Sequence, residues 1–175
     1  MIENKQLPLV RLRALEPEDL DLLYTIENDE ELWDVSNGCT PMSKFVLKQY
    51  LAVQSMDIFQ SGQIRLVIEE ISTGKAVGLL DLTDISFLDG RAEVGIALLR
   101  EARGKRLGQS ALLALATYAK KKLRLRLLFS QIALPQNQAS INLFESVGYE
   151  QVAVLPEWHY CNGIYEDLAV YQKKL

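Results

Sequence analysis

Arg91-Ala92-Glu93-Val94-Gly95-Ile96-Ala97-Leu98-Leu99, then Arg103-Gly104-Lys105-Arg106-Leu107-Gly108, then Gln109 to Lys122: this stretch decides how the rest of the chain is read. The first part is a strand-like run. The second is a basic turn containing two glycines. The third is helical, apolar at Leu112, Leu115, Ala116 and Ala119, and it ends in Lys120-Lys121-Lys122, cations that suit the negative end of a helix dipole. A strand, a Gly/basic turn and a helix together form a holder for a phosphate. The helix start offers unpaired N–H groups and the positive end of its dipole, and glycine lets the backbone approach the anion.

Reading outward, Leu9 to Arg13 alternates apolar and basic residues and predicts a short first strand. Pro17 opens a helix with Glu16, Glu18 and Asp19 at its start, where the dipole favours acids, running toward Asn28. Asn28 to Pro41 is irregular. It holds Asp29, Glu30, Glu31 and Asp34 with Trp33 among them. This segment is either a substrate-facing loop that attracts an amine or a solvated connector whose Trp33 plugs the core edge. Ser43 caps a helix expected over Lys44 to Phe59, which Ser61-Gly62 ends. Strands over Ile64–Glu70 and Ala76–Ile85, joined at Ser72-Thr73-Gly74-Lys75, lead through Asp89-Gly90 into the Arg91 strand as an antiparallel meander. After the long helix, the apolar run Leu127 to Leu134 predicts a strand buried on both faces and parallel to the one before the helix. Asn137 caps a short helix ending at Gly148, and Asn162-Gly163 joins the last two strands as a hairpin.

Composition narrows the classes. The chain of 175 residues suits one domain spanning 1–175, and no repeat or linker divides it. The net charge of −4 argues against a general nucleic-acid binder. The basic run Lys120 to Arg126 has no accompanying aromatics to make it one. Cys39 and Cys161 show no metal-ligand spacing and His159 is the single histidine, so no metal site is expected and the thiols are expected reduced. Met1 to Val10 carry Glu3, Lys5 and Pro8 rather than an apolar leader, and no apolar run is long enough to span a bilayer. A cytoplasmic protein is the expectation.

The order of elements, with the basic Gly turn opening the third helix, resembles the GCN5-related N-acetyltransferase (GNAT) superfamily over nearly the whole chain. In that family the turn reads Arg or Gln, two residues, Gly, one residue, Gly or Ala. Arg103 and Gly108 match its ends, Gly104 and Lys105 match the frequent Arg-Gly-Lys version, and Arg106 stands where glycine is usual. Ala92-Glu93-Val94-Gly95-Ile96 stands at the family's distance before the turn, and Asn137 to Tyr149 resembles the segment that flanks the pantetheine. Val10 to Asn28 and the final hairpin resemble the branch of spermidine N-acetyltransferases and ribosomal-protein N-terminal acetyltransferases. The resemblance implies an α/β (α+β) fold with a mixed, mostly antiparallel central sheet of about seven strands and helices on both faces. It implies acetyl transfer from acetyl-CoA to a primary amine.

The resemblance also assigns roles. The backbone of Ile96, Ala97 and Leu98 pairs with the pantetheine arm. Arg103, Gly104, Lys105, Arg106, Leu107 and Gly108 hold the pyrophosphate, and Asn137 and Phe144 flank the cofactor. Arg106 takes positive φ less easily than glycine, so either the backbone stays in the helical region or the phosphate site is altered; the helical region is expected, because a helix start is helical anyway. Glu93 is the candidate base, directly or through water, or else a strand carboxylate facing solvent or an ion pair. Phe144 occupies the position of the usual tyrosine whose hydroxyl protonates the leaving thiolate. Another tyrosine, Tyr149 or Tyr165, or water is then the substitute, or the enzyme is slower, or the domain binds acyl-CoA without catalysis. Glu31, Trp33 and Asp34 are the candidate acceptor-binding residues. Spermidine enzymes of the branch carry paired glutamates after the first helix, where this chain reads Ser36-Asn37-Gly38-Cys39-Thr40-Pro41. The acceptor is therefore left open between a polyamine, another small amine and a protein N-terminus. The expected partners are that amine and other copies of the chain, as a dimer or larger, with no nucleic acid and no membrane.

Overall fold

The computed structural model describes residues 9–35, 40–53 and 57–175. Seven strands form one sheet in the order β1-β2-β3-β4-β5-β7-β6. They are β1 (Val10–Ala14), β2 (Ile64–Glu70), β3 (Lys75–Ser86), β4 (Arg91–Leu98), β5 (Leu127–Ala133), β6 (Glu150–Cys161) and β7 (Ile164–Lys174). Every neighbouring pair is antiparallel except β4–β5. Two bends carry β6 past β7, and positive φ at Asn162 and Gly163 closes the hairpin between them as the Asn-Gly pair requires.

Side chains alternate across the sheet, so each face gathers its own core. On one face the even-numbered β3 residues Leu80 and Leu82, with Leu128, Ile132 and Tyr171, pack against α5 (Leu107–Lys121) and α6 (Gln138–Ser146). Leu112 and Leu115 of α5 are almost wholly buried there, worth about 1.5–3 kcal/mol each in transfer free energy. On the other face Val67 and Leu79 pack against α1 (Leu20–Glu27) and α3 (Lys44–Val53). Pro17 opens a short 3₁₀ turn that runs into α1, and Asp19 closes a capping box with Glu16 while accepting two bonds from Arg13 at 2.7 and 2.8 Å.

The helix expected over Lys44 to Phe59 is corrected. α3 is described to Val53, and Ile58–Ser61 is a separate turn, α4, following α2 (Glu30–Trp33) and α3 in the chain. The Asp57 carboxylate accepts from Phe59 N–H (2.9 Å) and Gln60 N–H (3.3 Å), which starts a new helix rather than continuing the old one. Cys161 is free and buried; Cys39 lies outside the described residues. No described helix is long and apolar enough to cross a membrane, and among the described residues no cluster of metal-ligating side chains is present.

Candidate active site

The sheet opens where β4 and β5 meet. These parallel strands pair only over Arg91–Glu93 and Leu127–Phe129, while β4 stays bonded to β3 as far as Leu98 and β5 to β7 as far as Ala133. Past Glu93 the two strands part, and the β4 backbone from Val94 onward has a free edge along the gap. A cavity of ≈ 1000 Å³ fills it. Gly95, Ile96, Ala97 and Leu98 stand on one side, Ser130, Gln131 and Ile132 on the other. An extended, amide-bearing arm fits such an edge as an added strand.

The phosphate turn closes one end of this cavity. Arg103, Gly104, Arg106, Leu107 and Gly108 line it; Lys105 does not. Gly104 has φ +72° and Arg106 φ +63°. The helical backbone expected at Arg106 is therefore corrected. Residue 106 keeps the left-handed conformation of a glycine at a cost of about 1–2 kcal/mol, because the chain must turn sharply from the 3₁₀ segment Arg100–Ala102 into α5. No side chain caps α5 at its start and no acid stands in its first turn, so its leading N–H groups and positive dipole end are left for an anion. Gly108 is required on the other side. A Cβ there would lie 3.2 Å from the Leu143 side chain and 3.3 Å from that of Leu98, the contact that seats α5 between α6 and β4. These features fit the pyrophosphate and pantetheine of acetyl-CoA.

α6 supplies the next wall. The Asn137 side chain accepts from Ser140 N–H at 3.2 Å, capping the helix, and Asn137 also lines the cavity. Phe144 lines it too, 2 % exposed and packed edge-on against Tyr149 with ring centroids 4.9 Å apart. Tyr149 does not line the cavity. Its hydroxyl is buried with no partner among the described residues, and burial pushes its pKa upward. Tyr165 is exposed on the hairpin.

The other end is acidic. Glu93 is half-buried and lines the cavity, and no ion pair or hydrogen bond to its carboxylate is found among the described residues. Burial first, and the Asp84 charge second, raise its pKa. Beside it stands a triad that the sequence reading did not assemble. Arg65 holds Asp81 through Nε and Nη2 (2.7 and 2.9 Å) and Glu27 through Nη1 (2.6 Å). Burial is the largest influence and works to lower the Arg65 pKa, but the bonds to Asp81 together with the charges of Asp81, Tyr50 and Glu27 outweigh it, so the guanidinium stays charged. Three carboxylates, Glu27, Asp81 and Glu93, thus share the wall with this one half-buried guanidinium.

Of the candidate acceptor residues, Glu31 and Trp33 line the cavity and Asp34 does not. The Glu31 carboxylate faces Arg100 at 3.1 Å and Arg103 at 3.6 Å. Asp29 pairs with the same two guanidiniums, at 3.0 and 3.5 Å. The Arg100 bond holds the Asp29 pKa below the usual carboxylate range. Trp33 Nε1 donates to the Glu27 carbonyl at 2.8 Å, and His159 Nε2 donates to the Asp34 carbonyl at 3.0 Å, tying α2 to the hairpin. Ser36 to Cys39 lie outside the described residues.

A parted pair of parallel strands ending at an uncapped helix start, with an acidic wall opposite, defines a transferase that holds an acyl-CoA against an amine. The chain belongs to the acetyltransferase (GNAT) domain family, whose profile matches residues 10–150, and it is an acetyl-CoA-dependent N-acetyltransferase. It is 25% identical over 171 residues to the spermidine N(1)-acetyltransferase of Vibrio cholerae serotype O1, covering 94% of this chain and 91% of that protein. It is 27% identical over 161 residues to the spermidine N(1)-acetyltransferase of Escherichia coli K12, covering 90% and 82%. Its fold matches the crystal structure of the Vibrio cholerae spermidine N-acetyltransferase in complex with CoA and spermine. The TM-score is 0.84 at 23% identity, over 95% of each chain.

Proposed function

We propose that the chain acts as a single domain, in the cytoplasm, acetylating a primary amine of a small polyamine. The observation that carries this reading is the acidic wall. An acceptor with several ammonium groups meets three carboxylates at the end of the cavity opposite the phosphate turn, and Arg65, which pairs with Glu27 and Asp81, sets a single positive charge against the three. The spermidine N(1)-acetyltransferases it is similar to act on such an amine.

Acetyl-CoA supplies an activated acetyl thioester. The residues that would hold it are Ile96, Ala97 and Leu98 through their backbone, Arg103, Gly104, Arg106, Leu107 and Gly108 at the phosphates, and Asn137 and Phe144 beside the arm. Glu93 takes the proton that the acceptor ammonium must lose, directly or through one water. Its raised pKa makes it a better base than an exposed carboxylate. Asp81, fixed by two bonds from Arg65, holds the neighbouring positive charge in line. Phe144 packs beside the arm but donates no proton, so the departing thiolate takes its proton from solvent water. Self-association is also part of this reading. Phe45, Val53, Phe59 and Leu88 are large and exposed, and a Vibrio cholerae relative is described as dodecameric.

The test is CoA-thiol release with a panel of spermidine, spermine, n-butylamine, amino acids and N-terminal peptides. Saturable release with spermidine at the highest kcat/KM is expected. Preference for a peptide overturns the polyamine reading, and acetyl-CoA binding without release from any amine overturns the catalytic one.

A further inference from the structure

The parallel pairing of β4 and β5 ends at Glu93 and Phe129. The next residues along the two strands, Val94 and Ser130, stand where the strands fork, and both line the main cavity. Side chains alternate along each strand, so neighbouring positions divide between the two faces of the sheet. Glu93 shares its face with Ala97, which packs against the core under α1 and α3. Ser130 stands between Leu128 and Ile132, which pack on the other face with Phe144 of α6. The fork therefore carries a carboxylate on one face and a hydroxyl on the other.

Ser130 is 5% exposed, yet no hydrogen bond to or from its hydroxyl is found among the described residues. A hydroxyl so enclosed needs a partner, and the cavity it lines is open to one. It also stands where a donor is missing. Phe144 lines the cavity on the same face and has no polar side-chain atom, Tyr149 does not line the cavity, and Tyr165 is exposed on the hairpin. The other hydroxyls of the lining are placed elsewhere. Thr83 pairs with Glu93 and so lies on its face. Ser146 Oγ donates to the Leu143 carbonyl at 2.6 Å. Ser140 lies in the first turn of α6 beside Asn137, toward the end of β5 away from the fork.

We propose that Ser130 donates a hydrogen bond to the thioester sulfur as it departs, the part of the usual tyrosine's role that Phe144 cannot play. This rests on the reading above that Glu93 takes the acceptor's proton, which puts the reacting carbon beside the fork. The amine nitrogen, freed of its proton by Glu93, bonds the acetyl carbon from the face that carries Asp81 and Arg65. The C–S bond breaks toward the α6 face, and its electron pair goes to sulfur. Ser130 keeps its proton and shares it with the charged sulfur in a charge-assisted bond, until solvent water protonates that sulfur.

The experiment titrates CoA and desulfo-CoA, which lacks the sulfur, into the wild type and into Ser130→Ala by calorimetry. It is run at about pH 9, where a thiol of ordinary pKa, about 8.5, is mostly ionised. The pair of ligands then reports the bond to sulfur without any turnover. Ser130→Ala is expected to lower the preference for CoA over desulfo-CoA at least about fivefold. Its desulfo-CoA Kd should stay within about twofold of wild type, which also reports that the variant folds. In turnover, kcat should fall roughly 10–100-fold with little change in acetyl-CoA or amine KM. An unchanged preference in Ser130→Ala, or an equal loss for both ligands, overturns the role of Ser130 and leaves the acetyl transfer standing. Full turnover in Glu93→Gln would instead overturn the placement on which it rests.

Discussion

The two ends of the main cavity are built from different parts of the chain. The cofactor end is made largely of backbone: a strand edge exposed where β4 leaves β5, a turn with two left-handed residues, and a helix start without a cap. The acceptor end is made of side chains: Glu93, Asp81, Arg65 and Glu27, drawn from four elements. A site made of backbone depends on which conformations its residues can take. A site made of side chains depends on charge. Substitutions at the two ends should therefore fail in different ways.

The largest separation is expected from Glu93→Gln. It removes the base and should lower kcat about 10²–10³-fold with little change in acetyl-CoA KM, read by steady-state kinetics. The pH profile sharpens the point. The Glu93 pKa is raised, so the carboxylate form that accepts the proton is lost as pH falls through a value above the ordinary 4.5, and the acidic limb of kcat/KM lies correspondingly high. Glu93→Gln should abolish that limb.

Gly108→Val should show the opposite pattern. Its Cβ alone already presses on Leu143 and Leu98, so the turn must shift, and acetyl-CoA KM should rise roughly 10–100-fold while amine KM changes little. A smaller effect is expected from Phe144→Tyr. A hydroxyl facing the cavity gives the sulfur a proton donor and should raise kcat about 2–10-fold, measured as thiol release. The smallest is Arg106→Gly. Relief of the left-handed strain, less the added freedom of the unfolded chain, leaves about 0.5–1 kcal/mol of stabilisation. That corresponds to a rise in Tm of roughly 1–4 °C.

The same contrast explains what the sequence could show. The turn, the strand before it and the capped helix after it are local patterns, and a glycine spacing or an Asn cap can be read without knowing the fold. Even there Arg106 misled, because an arginine at a helix start gives no sign that its φ is positive. The acidic wall needs strand register, and register is altered by a bulge. Near the β2–β3 turn Glu69 faces Ala76; beyond the shift at Ile68 and Glu69 the count changes by one, so Arg65 meets Asp81. Counted straight from the turn, Arg65 would oppose Leu80 and point its partner into the wrong face. One signal was present: Asp81 is a charge inside the run Leu79-Leu80-Asp81-Leu82, where burial demands a partner. Glu31 and Asp34 illustrate the converse. Their acidity is visible in sequence, but Arg100 and Arg103, far along the chain, pair with Glu31, and Asp34 does not line the cavity.

The separation of the two ends is tested most directly by calorimetric titration of CoA into the wild type and into Glu93→Gln. If the backbone holds the cofactor independently of the acidic wall, the two Kd values agree within about twofold although turnover is lost. A Kd at least about tenfold weaker in Glu93→Gln would show that the acceptor carboxylate takes part in holding the cofactor, and would contradict the account.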